Sequence, residues 1–149
     1  MPRDIPCEIT ESNLFSEVAA LLDVEHLADV DESDAPWPLR GVLFGPCRRP
    51  MVCVPVQLEA GGPVKNVICV VDPNEPVTRL SRAALSRFLP GAPPAAARAR
   101  LNGVACVPWR IEPGRPDVTV LGADFLAAAR AILCLDYVTQ TVTIEAVDR

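Results

Sequence analysis

This 149-residue chain is poor in the residue patterns that announce common chemistries. It has one histidine, His26, and no Cys-x-x-Cys pair, so the usual zinc-site spacings are missing and no metal site is expected. Ser81 and Ser86 have no histidine arranged with them as a general base, which excludes a serine hydrolase. The glycines of Gly61-Gly62-Pro63 lead into a strand pattern and not into a helix, so no phosphate-binding loop is present and no cofactor is expected. No run approaches the ~20 apolar residues of a membrane span. A formal charge of −5, with arginines scattered through the middle, argues against a nucleic-acid partner. The start, Met1-Pro2-Arg3-Asp4, enters no apolar stretch, so no secretory signal is expected in this sequence.

What is present is core-forming material. Half the residues are hydrophobic, enough for one domain with a real core. There are six cysteines, and four of them (Cys53, Cys69, Cys106 and Cys134) sit inside Val, Leu, Ile or Ala runs, where a free thiol behaves as a small hydrophobe. Reduced thiols are expected throughout, Cys7 and Cys47 included. That points to the cytoplasm or another reducing intracellular compartment, with import by a removed transit peptide left open.

The pattern of elements changes at residue 38. Leu14, Val18, Leu21 and Leu22 recur at helical spacing and predict one helix over residues 12–30, capped by Ser12. Its two readings are packing on its own domain and docking of a partner. Asp29 to Asp34 and Pro36-Trp37-Pro38 then read as an acidic linker, dividing an arm of residues 1–38 from a β domain of residues 39–149. Beyond it come short β runs. Met51 to Leu58 and Val64 to Val71 form a hairpin, and Asn102-Gly103 is a two-residue turn leading into a strand from Val104 to Ile111. Asp117 to Leu121, Ala131 to Asp136 and Thr141 to Val147 are further strands, the last apolar enough to pair with another chain. Ser81 caps a short helix to Leu89, and Gly122 to Arg130, rich in alanine, is a second helical segment. The interval from Ala95 to Arg100 fits either helix or strand.

An apolar strand runs into an aspartate at a Pro-Asn turn at Asp72, in Ile68-Cys69-Val70-Val71-Asp72-Pro73-Asn74-Glu75-Pro76-Val77-Thr78-Arg79-Leu80-Ser81. This segment, with Leu101 to Trp109 and with Asp117-Val118-Thr119-Val120-Leu121-Gly122-Ala123-Asp124-Phe125-Leu126, resembles the retropepsin-like aspartic proteases over roughly residues 51–147. The resemblance implies a mainly β fold: a closed or partly open acid-protease β barrel with one or two short helices, preceded here by an N-terminal helix. It also places Asp72 where the family keeps its catalytic acid.

The turn departs from that family. Aspartic proteolysis needs two carboxylates sharing a proton, so a single Asp72 would require a homodimer. Pro73 has neither the hydroxyl nor the N–H for the cross-dimer lock the resemblance implies. Asn74 is a tolerable replacement for glycine, and Glu75 adds a second anion expected to oppose the meeting of two such loops. Between Pro90 and Arg100 there is too little chain for a flap over the cleft. The expected function is therefore a proteolytically silent, protein- or peptide-binding or assembly module, as a subunit of a larger complex, with Asn74 and Trp109 as candidate contact residues. The alternative is an active homodimeric aspartic endopeptidase using one Asp72 per subunit and an activated water.

Overall fold

Two strands built almost entirely of apolar residues set the centre of the molecule. The computed structural model describes residues 9–32 and 34–147; Cys7, Ser33 and the polar start lie outside them. Among the described residues the chain is mainly β. Eleven strands occur: β1 (Asp29–Val30), β2 (Leu39–Phe44), β3 (Arg49–Leu58), β4 (Val64–Val71), β5 (Arg79–Leu80), β6 (Ala99–Leu101), β7 (Val104–Cys106), β8 (Trp109–Arg110), β9 (Val120–Leu121), β10 (Ala131–Asp136) and β11 (Thr141–Ala146). Four short helices accompany them: α1 (Glu11–Phe15), α2 (Glu17–Leu22), α3 (Arg82–Phe88) and α4 (Ala123–Ala128). None of these helices is long and apolar enough to cross a membrane.

The strands form one open, mixed sheet ordered β10-β11-β2-β3-β4-β9-β5-β8, with β1 on β4, β6 on β3 and β7 on β6. β3 and β4 form the expected hairpin, pairing Met51 with Val70 through Val56 with Lys65. Strand alternation sends Val67, Cys69 and Val71 into the main core with Val52, Val54, Val56 and Phe125. Ile68 and Val70 face the other way, into a second core with Met51, Leu14 and Val18. Because Val67 to Val71 are covered on both faces, this part of β4 reads as an unbroken apolar run and not as an alternation.

The second core corrects the helix expected over residues 12–30. Thr10, not Ser12, is the cap, and its side chain accepts the Asn13 N–H. Ser16 interrupts the helix with φ −118° and ψ −87°, its hydroxyl donating to the Ser12 carbonyl at 2.7 Å. Asp23 then stops it in the left-handed region (φ 54°). Leu14 and Val18 are buried against the sheet, so the apolar stripe is used within the domain. Burying two such side chains stabilises by about 1.5–3 kcal/mol each. His26 follows this pattern: it is buried, its Nδ1 accepts the Ile68 N–H at 3.1 Å, and the Phe15 ring meets it edge-on.

The acidic stretch is likewise partly structured. Asp29 and Val30 form β1, and the Lys65 ammonium pairs with the Asp29 carboxylate. Leu101-Asn102-Gly103-Val104 is the expected two-residue hairpin, with φ of 49° and 77° at the two turn residues. The strand expected from Val104 to Ile111 is broken at Val107-Pro108, where proline cannot supply a ladder N–H. Of Asp117 to Leu121 only Val120–Leu121 is strand. Of the interval from Ala95 to Arg100 that fitted either helix or strand, Ala99 and Arg100 belong to β6 and Ala96 makes an isolated bridge to Trp109. β11 lies between β10 and β2, so the strand open to another chain is β10 and not the last one.

Cysteine chemistry divides by position. Cys53, Cys69, Cys106 and Cys134 are free thiols, as expected of residues in apolar runs. Cys47 is disulfide-bonded, against the expectation for it. It lies in the exposed turn between β2 and β3, outside any apolar run, where packing does not seclude its sulfur.

Candidate functional site

Asp72 is the first residue past β4. The last two residues of β4 run parallel to β9, Val70 beside Val120 and Val71 beside Leu121. The Asp72 N–H continues that ladder to the Leu121 carbonyl at 3.0 Å. Its carboxylate turns back on its own chain: Oδ1 accepts the Asn74 N–H at 3.0 Å, and the Asp72 carbonyl accepts the Glu75 N–H at 3.1 Å. This is an Asx-turn, with the aspartate capping the loop it opens.

The loop is fastened from the opposite side by the Gly122 segment. A Cβ on Gly122 would lie 2.7 Å from the Glu75 oxygen and 2.8 Å from the Val77 carbonyl carbon, so only glycine fits. The Ala123 N–H donates to the Glu75 carbonyl at 2.8 Å. Asp124 Oδ1 accepts both the Thr78 N–H (2.9 Å) and the Thr78 hydroxyl (2.6 Å), and Thr78 Oγ1 in turn accepts the Gly122 N–H at 3.1 Å. Thr78 is wholly buried, so these bonds are made away from water and breaking them leaves orphaned polar groups. The backbone N–H of Trp109, in β8, donates to the Thr78 carbonyl at 3.0 Å. The three sequence segments that carry the resemblance thus meet around one turn.

A cleft of ≈ 180 Å³ opens beside that turn, and Asp72, Glu75, Arg79, Arg115 and Arg49 are its charged lining. Val70, Ile111, Val118 and Val120 supply apolar walls. Arg79 Nε donates to Glu75 Oε1 at 3.0 Å, and Arg115 Nη1 lies 3.9 Å from the same oxygen. The anion expected to oppose a meeting of two loops is therefore balanced within its own chain. The sequence shows these arginines only as scattered charges, with nothing to single out Arg115.

The three candidate residues do not share this cleft. Asp72 lines it, whereas Asn74 and Trp109 are not among its lining residues. Asn74 contributes its backbone N–H to the turn, and the Trp109 side chain is half exposed. The short segment from Pro90 does not rise over the cleft as a hairpin. It is held against β8: the Arg110 N–H donates to the Ala95 carbonyl at 2.8 Å, Arg110 Nη1 to Pro93 at 2.8 Å, and Ala97 N–H to Pro108 at 3.2 Å.

Thiol chemistry has no foothold in the interior. Burial pushes the Cys53 thiol up to about 12 and holds the Cys69 thiol far above its ordinary value. Burial, with the Asp124 charge nearby, pushes Cys106 up to about 11. Thiols held protonated in this way are poor nucleophiles. Among the described residues no three His, Cys, Asp or Glu side chains converge to hold a metal ion.

Compared with known proteins, the chain matches no family model, no curated protein and no solved structure.

Proposed function

We propose that this chain is a retropepsin-like domain that binds or assembles with protein or peptide without cutting it, as a subunit of a larger complex. One observation carries the reading: the Asp72 carboxylate, the candidate for the family's acid, is used as the cap of its own Asp-Pro-Asn turn. The fold half of the proposal is supported by the meeting of the Asp72 strand end, Val120-Leu121-Gly122 and Trp109 around Thr78. The silent half is supported by Pro73, which offers no donor to a partner loop, and by a Pro93–Ala97 segment pinned to β8 in place of a flap. A peptide side chain lying in the cleft would meet guanidinium groups balanced by Glu75 and an apolar wall, which suits binding of a mixed polar and apolar segment.

Asp72→Asn tests this directly, because the amide oxygen still accepts the Asn74 N–H. The variant is expected to fold with an unchanged melting temperature and to sediment as the wild type does. The competing reading, a homodimeric aspartic endopeptidase, is favoured by the position of Asp72 on the cleft wall. Cleavage of a denatured protein substrate by the wild type in mildly acid buffer, absent in Asp72→Asn, would establish it in place of the binding module.

A further inference from the structure

The sheet has one long unguarded edge. β8, at one end, is two residues long and is bridged by Ala96, and helix α4 packs against the short β7. β10, at the other end, is six residues long and among the described strands pairs only with β11. Its sequence, Ala-Ile-Leu-Cys-Leu-Asp, has no proline and no lysine, the residues that usually blunt an open edge. Ile132 is 55% exposed, and beyond the strand Tyr137 is 56% and Val138 93% exposed.

The direction of the free backbone groups follows from one hydrogen bond. The Val147 N–H donates to the Arg130 carbonyl at 3.0 Å, so the pair at positions 130 and 147 is a bonded one. The ladder continues without a bulge from Ala131 opposite Ala146 to Asp136 opposite Thr141. In an antiparallel ladder bonded and non-bonded pairs alternate. Ile132, Cys134 and Asp136 therefore bond to β11, while the N–H and C=O groups of Ala131, Leu133 and Leu135 point away from the sheet. The side chains of those three residues lean on the main core yet stay half-buried, because among the described residues no strand stands beside them.

We propose that β10 pairs with β10 of a second copy of this chain, antiparallel about a two-fold axis through Leu133. That register bonds Leu133 to Leu133 and Ala131 to Leu135, using every outward N–H and C=O of the strand. It sets Ile132 opposite Cys134 on the solvent face, and it places Arg130 of one copy opposite Asp136 of the other. The strand is thus self-complementary in hydrogen bonding, apolar contact and charge, as an isologous interface must be. A shift by two residues removes bonded pairs and loses the charge match. The pairing rests on β10 alone and does not depend on what Asp72 does.

Amide hydrogen exchange of the full chain, followed by NMR at high and low protein concentration, reads the proposal residue by residue. The amides of Ala131, Leu133 and Leu135 are expected to be protected at high concentration and to lose at least tenfold in protection on dilution. Those of Ile132, Cys134 and Asp136 are expected to change little. Leu133→Pro, which deletes an outward N–H and spares the β11 ladder, is expected to sediment as a monomer with an unchanged far-UV spectrum. Should that variant unfold, the exchange pattern of the wild type decides alone. A wild type that sediments as a monomer at every concentration overturns the proposal, and so does an exchange pattern at Leu133 that is independent of concentration.

Discussion

Removing the Asp124 carboxylate would leave Thr78, fully buried, with an N–H and a hydroxyl for which the described residues offer no other side-chain acceptor. Asp124→Ala is therefore expected to lower the unfolding free energy by about 2–3 kcal/mol, read as a shift in the urea midpoint. An unshifted midpoint would show that the turn is held by its backbone bonds alone. Asp72→Ala loses one exposed hydrogen bond and is expected to cost only about 0.5–1.5 kcal/mol. The contrast explains what could be read at this scale. Asp72 stands out in the sequence because an apolar strand leads into it and its cap is two residues away. The pairing of Asp124 with Thr78 spans 46 residues, and no local pattern announces it. Arg115 escapes for the same reason, since it reaches Glu75 only through the fold.

At the scale of elements, the N-terminal helices are part of the β domain's packing. Leu14→Ala, at a site 1% exposed in the second core, is expected to cost about 2–5 kcal/mol. Leu21→Ala, at 58% exposure, is expected to stay within about 0.5 kcal/mol of the wild type. Equal effects in thermal or urea unfolding would contradict this division. Helical spacing put Leu14, Val18, Leu21 and Leu22 on one stripe, of which Leu14 and Val18 are buried, Leu22 is partly buried and Leu21 is exposed. It missed the break at Ser16 and the stop at Asp23, because Leu21, Leu22 and Leu27 continue the period past residues whose own side chains and dihedrals end the helix. The β3–β4 and β6–β7 hairpins were legible because an alternation or a turn pair sits within a few residues. β8 and β9 fall inside the longer strands expected over Val104 to Ile111 and Asp117 to Leu121, but their short bounds were not legible, since two-residue strands are defined by their neighbours and carry no pattern of their own.

At the scale of the molecule, one buried histidine sets an acid limit. Burial, and next the Arg87 charge, lower His26 from 6.5 to about 4. Its Nδ1 accepts the Ile68 N–H and its buried Nε2 has no hydrogen-bond partner among the described residues, so a second proton would break a bond in the central strand. The group stays neutral in the folded protein but titrates at about 6.5 when unfolded. Its stability contribution is therefore present above about 6.5 and is lost as pH falls toward about 4. The urea midpoint is expected to fall across that window, and an NMR titration should find His26 protonating near 4; a value near 6.5 would contradict the packing described. Activity at acid pH has to be sought above that limit.

The account turns on whether the Asp72 loop catalyses or only holds the fold. The most direct measurement is pepstatin-sensitive cleavage of a denatured protein substrate, by wild type and Asp72→Asn side by side, in mildly acid buffer where both remain folded. The account predicts no cleavage by either protein and equal melting temperatures. Cleavage by the wild type that pepstatin blocks and Asp72→Asn abolishes would contradict it.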